Sequence, residues 1–600
     1  MDIELSKKIK ELSELLGPMQ ARGDMDIRTM DPVAKLMWVA LLHECQKIQD
    51  SVDNLERKIV ERFCDTFIPR DRIAATPAVT LLQADFKATQ RESEVVTVGE
   101  GAVFTYKVAG TKHGLTYIPL WRTLVIPYRG LYTLTPRVLR YGDCTWPVEM
   151  GIRNTLWVGI ETKAEIESLR GLSLFIKGTK GVYPSAIYVG AKTQGMSFVG
   201  MSRMEELDWV DPFEAQQTGP QVLALIDGWK QDLQDMEEGV LLYVTDGVKD
   251  RDKFKPQAYP RVFQHWLESE VLDHLGGDTV WLCVEFPEEY ELPDNCEVLL
   301  NTFPVVNVEE ANVTLTQATP IAKLQKSNDN SFFLYVKDIN SAMKQQGFSP
   351  LSDEIVIRDF DASCYNDGEL YREIRNLYNH FIDDYYAFID YNGIKDGEVI
   401  RQLREAINKI GKSVGLQNDR FKFDSGTYVM KNMNQVSQSS ITKVSFLTTA
   451  GKTGNLPKMD DTMENKKMPV LARNIKVCVS ARGGTDKAGA DERYELLRYY
   501  TLTADRLYTR KDIEAFVRKE VVAEFGLQES HRVSHKLSVE GAAGVKKLSR
   551  GLYVDLNFKD RKNYDHAIAV AFDKSVRQKI MNRSCLSMPV YVCLHCLENK

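Results

Sequence analysis

Several short groups of potentially reactive side chains occur in this 600-residue chain. Cys593 and Cys596 form a C-x-x-C pair with His595 between them, and thiolates with imidazole are ligands that zinc prefers. The surrounding residues MPVYVCLHCL alternate as in a β-strand, so the two cysteines should point to opposite faces. No second pair at ligand spacing accompanies them, and we therefore expect no metal site here.

Two glycine-containing segments come close to catalytic loops without completing them. Gly451, Lys452 and Thr453 end like a phosphate-binding loop, but that motif needs a glycine five positions before Gly451, where Phe446 stands. The segment GMSFVG at 195–200 has one residue too many for the G-x-S-x-G turn of a nucleophile elbow. Neither segment predicts an active site.

The remaining pairs of histidines and carboxylates also lack the context that chemistry requires. His531 and His535 are four residues apart in a strand-like segment without the HExxH pattern of a zinc protease. Two acidic pairs, Asp359 with Asp361 and Asp383 with Asp384, have no glycine-containing calcium loop around them. We therefore predict no catalytic, cofactor-binding or metal-binding residue, no cofactor, and no enzymatic activity.

The composition is typical of a soluble globular protein, with 43% hydrophobic and 27% charged residues. A net charge of -7 argues against a chain that coats nucleic acid or an anionic membrane. The charged N-terminus MDIELSKKIKELSELLG does not look like a signal peptide, and no run of ~18 apolar residues follows, so we expect a cytoplasmic protein without membrane insertion. The ten cysteines are scattered, as expected of reduced thiols.

The length predicts several domains, and the first is helical. Apolar residues at steps of three and four predict one helix over 3–16 and a longer one that begins after Asp31. The heptad-like spacing of the second helix predicts lengthwise packing against another helix. Residues 1–70 are therefore predicted to form a helical or coiled-coil arm, whose bundle interface comprises Leu41, Ile48, Val52, Leu55, Ile59 and Phe63.

From Pro77 the hydrophobic period changes to two, which predicts antiparallel sheet. Residues 76–345 are expected to form a β-rich body, of one domain or of two subdomains, with helical pieces near 163–170 and 260–275. Residues 346–425 regain helical periodicity and are predicted to connect the body to the C-terminus. Residues 426–470 show little periodicity and are predicted to form a long loop or arm that could be ordered only in a complex.

Residues 471–600 give the order strand, helix, strand, strand, helix, strand, which predicts a ferredoxin-like module. Thr509 and Asp512 form a capping box before one helix, which Gly526 is expected to end. The predicted fold is thus a multidomain α+β protein with a helical arm, an antiparallel β-rich body and a C-terminal ferredoxin-like module. The residues predicted for contacts between copies through this module are Leu507, Ile513 and Phe516.

Two other functions fit parts of the chain. A ferredoxin-like module can recognise RNA, and Arg550 and Gly551 precede the third strand as in that class, but Tyr553 stands there without the alternating aromatics that stack bases. A carbohydrate-active or sugar-binding β-domain is suggested by Trp121, Trp146 and Trp209, although tryptophans of this kind usually lie in the core.

The segment LLNTFPVVNVEE interrupts a buried apolar run with a proline and two asparagines. Pro304 cannot donate to a strand ladder and forces Phe303 toward extended backbone, so it should mark a bend between two buried strands. Asn301 and Asn307 can satisfy the backbone groups freed there. These four residues are predicted to form a structural corner.

Segments spread over the chain resemble the TssF family, the baseplate wedge subunits of bacterial type VI secretion systems. NTFPVVNVEEANVTLTQATPI is similar to one family segment, and LTTAGKTGNLP to another, although Lys452 to Asn455 depart from its usual residues. GGTDKAGADERYELLRYY and LYTRKDIEAFV resemble related phage wedge proteins of the J and T4 type. LERKIVERFCDTFIPRDRIAATPAV is similar to a helix that runs into a first strand, and its matching residues are Leu55, Ile59, Phe63, Pro69, Pro77 and Ala78.

The resemblance implies a structural, non-enzymatic subunit. It implies that two copies associate with one TssG-like subunit, and that the wedge meets TssK-like, TssE-like and hub or spike proteins. It also implies docking, through those partners, to the apparatus anchored in the bacterial inner membrane. A wedge protein of a phage tail or of an extracellular contractile injection particle is the alternative.

Overall fold

The computed structural model describes part of the chain. The described residues are 72–87, 94–199, 239–246, 257–325, 331–341, 355–360, 426–431, 441–530, 533–538, 552–558, 566–585 and 590–596, with a few short gaps, and scattered residues in 60–69, 207–233 and 402–409. The chain divides into two compact units, and nearly all described residues belong to the unit of Phe67–Phe360 and Asp424–Lys600. The predicted arm and helical connector lie almost wholly outside the described residues.

Six antiparallel strands form a closed barrel. It is closed because the first strand in the order pairs with the second on one side and with the sixth on the other. Inward-facing apolar side chains fill it, and the rings of Phe104 and Phe303 pack with centroids 5.5 Å apart. In barrel order the strands are β1 (Val79–Gln83), β16 (Thr302–Val306), β4 (Leu115–Pro119), β3 (Phe104–Tyr106), β23 (Thr462–Asn465) and β24 (Asn474–Arg482).

A ten-stranded sheet lies beside the barrel. Its strand β10 is buried on both faces, because Leu174 and Ile176 enter one core while Phe175 enters a second core that includes Val79 and Leu81 of the barrel strand β1. The order is β15 (Glu297–Leu300), β10 (Ser173–Lys177), β13 (Gly239–Asp246), β12 (Gln194–Val199), β11 (Ala186–Val189), β14 (Thr279–Glu285), β9 (Thr155–Glu161), β6 (Gly130–Leu134), β7 (Val138–Tyr141) and β8 (Cys144–Pro147).

Of the two helical pieces predicted within this body, one is found. The 3₁₀ turn Arg261–His265 and the short helix α1 (Ser269–Leu272) occupy the predicted 260–275 region. Residues 163–170, also predicted to be helical, form bends and turns instead.

Three smaller sheets belong to the same unit. They are the pair β2 (Val96–Val98) with β5 (Thr123–Val125), the sheet β17 (Glu309–Leu315), β22 (Thr442–Thr449) and β19 (Phe332–Ser341), and the sheet β18 (Ile321–Lys323), β21 (Gly426–Lys431) and β20 (Ile355–Phe360). The prediction of a long loop over 426–470 therefore needs correction, since the segment supplies β21, β22 and β23. Strand β22 is central and nearly all buried, so it carries no period of two in its sequence.

The C-terminal part contains three helices and a three-stranded sheet. The helices are α2 (Ala490–Thr503), α3 (Arg510–Ser530) and α4 (His566–Arg583), and the sheet order is β25 (Val533–Ser538), β26 (Leu552–Phe558) and β27 (Val590–Cys596). The predicted ferredoxin-like module is wrong, because its first strand, β24, belongs to the barrel. In a ferredoxin-like sheet the first strand, β24, would lie between the last two strands, β26 and β27. Here β26 and β27 pair directly with each other and in parallel.

The capping box of α3 is present as predicted. The N–H of Thr509 donates to Asp512 Oδ2 at 2.8 Å, and the N–H of Asp512 donates to Thr509 Oγ1 at 3.3 Å. The helix continues past Gly526 to Ser530, so the predicted end is four residues too early. A glycine alone does not end a helix whose apolar face is packed, since it costs only ~1 kcal/mol.

The predicted fold class as a whole needs correction. The described residues are 42% strand and 21% helix, so this part of the chain is mostly β and not a balanced α+β fold. The structure also shows no N-terminal helical or coiled-coil arm in the part that it describes. The prediction gave too much weight to long periodic segments, because a helical stripe is visible in sequence whereas short strands buried on both faces are not.

Candidate functional site: a polar joint and the surfaces around it

The bend in the LLNTFPVVNVEE segment lies at Asn301, between β15 and β16. This residue adopts the left-handed conformation, with φ of 59°, and is fully buried. Its amide Nδ2 donates to the carbonyl of Ile126 at 2.8 Å, and its Oδ1 accepts from the N–H of Ile126 at 2.9 Å. The side chain thus pairs with Ile126 as a backbone segment would, and the chain can cross from the ten-stranded sheet into the barrel without leaving buried polar groups unpaired.

Pro304 lies inside β16 and does not mark the bend. The carbonyl of Pro304 accepts from the N–H of Leu120 at 3.1 Å. Any residue other than proline at this position would also donate its own N–H to the Leu120 carbonyl. That carbonyl instead accepts from the N–H of Val210 at 3.0 Å. The missing donor of the proline is therefore replaced by a third segment, and β16 keeps its pairing with β1.

Asn307, at the other end of the segment, connects three parts of the chain. Its Nδ2 donates to the carbonyl of Thr116 at 2.9 Å, and its Oδ1 accepts from the N–H of Ala450 at 2.9 Å and from Thr449 Oγ1 at 3.1 Å. Its own N–H donates to the carbonyl of Ala78 at 2.8 Å. The side-chain amide thus joins β4 to the end of β22, and the backbone N–H of the same residue adds Ala78, which directly precedes β1.

The 3₁₀ turn Gly451–Asn455 follows directly and makes the next contacts. Asn455 exchanges two hydrogen bonds with the backbone of Gly484, at 2.8 and 2.9 Å. The N–H of Lys452 donates to Asp486 Oδ1 at 2.8 Å, and the buried Tyr117 hydroxyl donates to the carbonyl of Gly454 at 2.6 Å. The turn is therefore attached to both the barrel and the segment that leads into α2.

Thr76 closes the circle of contacts. Its hydroxyl donates to the carbonyl of Gly483 at 2.6 Å, and its backbone exchanges hydrogen bonds with Thr485 at 3.0 and 3.1 Å. We call this arrangement the joint, defined by residues 76–78, Asn307, residues 449–455 and residues 483–486. The glycines make the close approach possible, since a Cβ on Gly484 would lie 2.4 Å from the carbonyl oxygen of Gly451.

The joint does not offer a phosphate site, although it contains the Gly451-Lys452-Thr453 sequence. A phosphate loop points its N–H groups at the anion, whereas the N–H of Lys452 is bound by the carboxylate of Asp486. The Lys452 ammonium lies 3.2 Å from Glu524 Oε1 on α3. The chemistry of the joint is therefore that of a structural connection between elements.

A buried ionic cluster supports α3 and was not predicted from sequence. Glu520 lies 2.8 Å from the ammonium groups of both Lys519 and Lys579. Burial alone would raise the pKa of Glu520, but the charges of the two lysines hold this pKa well below its usual range. Burial lowers the pKa of Lys519, whose ammonium lies over the rings of Tyr499 and Phe516 at 4.9 Å. Sequence spacing gives no signal for a contact between α3 and α4.

The residues predicted for protein contacts fall in two groups. Leu507, Ile513 and Phe516 are buried in the core of the C-terminal part, so they cannot form the predicted surface. Their apolar period reflects packing against β26, β27 and α4. Phe63 is about half exposed, at 48%. The other residues predicted for the helical bundle, Leu41, Ile48, Val52, Leu55 and Ile59, lie outside the described residues.

The structure removes the observations that suggested sugar or RNA binding. Trp121 and Trp209 are buried and pack edge to face with centroids 5.8 Å apart, while Trp146 is half-buried and stacks on His274. Tyr553 is buried and stacks on Tyr591 at 4.9 Å, in a sheet that is not ferredoxin-like. These rings pack against other rings of the chain.

Residues that raised the question of metal or membrane binding can now be located. Cys593 and Cys596 both lie in β27. Within the described ranges, no three His, Cys, Asp or Glu side chains are grouped so as to hold a metal ion. None of the helices in the described part combines the length and the apolar composition needed to cross a bilayer.

No protein-family model matches the chain, and no curated protein matches it either. Among solved structures, the chain is similar to one in the type VI secretion system TssK-TssF-TssG baseplate subcomplex, with 10% sequence identity. The superposition covers 94% of this chain and 96% of that one with a TM-score of 0.40, a value that does not by itself establish a shared fold.

Proposed function

We propose that this chain is a structural subunit of the baseplate of a bacterial type VI secretion system, of the TssF wedge type. The observation that carries the proposal is the composition of the joint. Three segments that resemble the family in sequence, and a fourth that resembles the related phage wedge proteins, meet at this one place, although residues in contact there lie as much as 409 positions apart in the chain.

The contacts among these segments form a closed set. The first segment meets the second through Ala78 and Asn307, and it meets the fourth through Thr76 and Gly483. The third segment meets the second through Ala450 and Asn307. It also meets the fourth at Gly484, at 2.8 and 2.9 Å, through Asn455, which is one of the residues that depart from the family's usual ones.

Chance similarities in unrelated parts of a chain have no reason to converge in space. A resemblance that reflects a common architecture does have one, because the residues at a crowded junction are restricted by steric fit and by backbone hydrogen bonding. The convergence therefore supports the family assignment independently of overall superposition.

The chemistry of the joint supports a structural role. Its buried amides and hydroxyls bond to backbone groups of the same chain, so they are engaged in holding elements in place. A catalytic site would need acids, bases or nucleophiles that converge on substrate. The proposal accordingly includes no enzymatic reaction and no cofactor.

As a wedge subunit, the chain would act in the bacterial cytoplasm. It would associate with a TssG-like subunit, two copies to one, and through it with TssK-like, TssE-like and hub proteins. The family resemblance supports these partners, and the solved subcomplex named above contains TssK, TssF and TssG.

Co-expression with the products of neighbouring genes tests the proposal. We expect a tag on this chain to retain a TssG-like protein through size-exclusion chromatography, and native mass spectrometry to give two copies of this chain with one of the partner. A chain that elutes alone, when the partner is folded and present in excess, contradicts the proposal.

A further inference from the structure

The C-terminal part, which begins with α2, has a hydrophobic core of its own. The buried apolar residues of this core come from α2, α3, α4, β26, β27 and the connection between α2 and α3. The half-buried apolar residues packed on it lie in the same helices, and they are Tyr500, Ala515 and Phe525. The rest of the unit, which we call the barrel part, comprises the described residues of 72–360 and 424–488. Among these described residues, none beyond Val479 belongs to a core cluster, so each part can keep its own packing when the other moves.

Polar contacts connect the two parts. The ammonium of Lys452, in the joint, lies 3.2 Å from Glu524 Oε1 on α3 and donates to the carbonyl of Glu524 at 3.3 Å. The guanidinium of Arg72 lies 3.7 Å from Asp505 Oδ2, just after α2. All four side chains are between 30% and 47% exposed. Ion pairs with this exposure contribute little to stability and are screened by salt.

The chain passes from the barrel part to the C-terminal part at Gly489. The residue before it is fixed to the barrel part, because Ala488 is buried and its N–H donates to the carbonyl of Ile73 at 3.0 Å. The residue after it is the first of α2. A Cβ added to Gly489 would have nothing within 4 Å, so the backbone can turn here without a steric clash.

We propose that the C-terminal part rotates as one body about Gly489, and that the Lys452–Glu524 ion pair holds it in the arrangement described above. We call this ion pair the latch. Motion between two parts is expected when each has its own core and the contacts between them are polar. Lys452 is one of the residues that depart from the usual ones of the family segment, so the latch is not something that the resemblance implies. The inference does not depend on the proposed function.

Opening of the latch leaves charged groups paired or hydrated. The two side chains of the latch are partly exposed, so water can solvate them when they separate. Asp505, when Arg72 moves away, keeps its contacts within the C-terminal part, since it accepts from the Tyr499 hydroxyl at 2.9 Å and lies 3.2 Å from Arg583 Nε. The loss of one exposed ion pair changes an equilibrium about two- to fivefold, so both arrangements should be populated.

Distances between spin labels on the two parts test the rotation. Cys144 in the barrel part and Cys585 after α4 are both exposed, so each part offers one native thiol for a label. The background for labelling keeps the buried cysteines and replaces by serine the four others, which are Cys45, Cys364, Cys593 and Cys596. Double electron–electron resonance at about 0.1 M salt should show two distances, and the smaller population should grow toward about 1 M salt, where the latch is screened.

Charge reversal tests the latch itself. Lys452→Glu and Glu524→Lys, each alone, should enlarge the smaller population about two- to fivefold or more, because the attraction becomes a repulsion. The two substitutions together restore the attraction and should restore the wild-type distribution. The matched control is Lys458→Glu, which reverses an exposed charge in the same segment and should change nothing. Circular dichroism of each variant checks that it is folded.

Three results would overturn the inference. A single narrow distance at every salt concentration and in every variant means that the two parts are fixed to each other. Two distances whose populations respond neither to salt nor to the latch variants mean that the ion pair is not a latch. A control variant that acts like Lys452→Glu, or a double variant that stays open, means that the pairing of these two side chains is not what matters. The salt series on the wild-type sequence needs no substitution in the latch, so it stands even where a latch variant fails to fold.

Discussion

Replacement of Asn307 by alanine is the most informative perturbation of the joint. The side chain is 3% exposed, and its amide makes three hydrogen bonds, one to β4 and two to the end of β22 and the residue after it. The substitution takes away the hydrogen-bond partner of the Thr116 carbonyl, the Ala450 N–H and the Thr449 hydroxyl. The carbonyl of Thr116 and the N–H of Ala450 are backbone groups that cannot turn away.

The cost follows from these two fixed groups. A buried donor or acceptor left without a partner costs ~1–3 kcal/mol, so two of them cost about 2–6 kcal/mol. The Thr449 hydroxyl can rotate to another acceptor and adds little. Because a domain is stable by only ~5–15 kcal/mol, the variant should lose a large fraction of the stability of the unit that holds the joint.

Urea unfolding followed by tryptophan fluorescence measures this loss, since Trp121 and Trp157 are buried in the same unit. Hydrogen exchange at the Ala450 amide reports the joint directly, and it should accelerate in the variant. The matched control is Asn312→Ala, an exposed residue that accepts one hydrogen bond from Ser445, with an expected loss under ~0.5 kcal/mol. Equal losses for the two variants, or unchanged exchange at Ala450, would refute the reasoning.

Three further predictions address the packing and ionisation of the unit. Gly484→Ala should prevent stable folding, because its Cβ would collide with the carbonyl oxygen of Gly451. Gly489→Ala, with nothing within 4 Å of the added Cβ, should be neutral or slightly stabilising in thermal unfolding, and equal unfolding midpoints for the two variants would contradict this. Burial raises the pKa of Cys478 to about 12, so this thiol stays protonated and unreactive at pH 8. Iodoacetamide at that pH should label the exposed Cys144 and spare Cys478 in the native protein, and rapid labelling of both thiols would disprove the prediction. The pKa of Glu520 is held low by two lysines, so this carboxylate adds to the free energy of unfolding at pH values above its unfolded pKa of ~4.3, and the addition is lost as the pH falls below that value. The variant Glu520→Gln should therefore be less stable than the wild type at pH 7 and should lose less stability on acidification. Parallel plots of unfolding free energy against pH for the two proteins would count against this.

Local sequence signals predicted local structure. The Thr509 and Asp512 box gave the start of α3, because both partners of the two hydrogen bonds lie within four residues. The alternation of NIKVCVS gave β24, whose buried and exposed residues alternate over its first half. Such patterns reflect one element and the face that it buries.

Sequence could not show which elements pair. The alternation of apolar and polar residues in β24 fits a strand of the barrel as well as a strand of a ferredoxin-like sheet. Its actual partner, β1, lies almost 400 residues earlier in the chain. Asn301 and Asn307 were identified as residues that satisfy backbone groups, yet their partners, Ile126, Thr116 and Ala450, come from three other places in the chain. The joint is therefore visible only in three dimensions, although each of its segments is recognisable alone.

Sheath assembly in cells tests the structural role most directly. In a bacterium that carries this gene, deletion of the gene should abolish the fluorescent sheath structures formed by a tagged sheath protein. The wild-type gene and Asn312→Ala should restore them, and Asn307→Ala should restore them poorly. Sheaths that assemble in normal number without this chain would contradict a role in the baseplate.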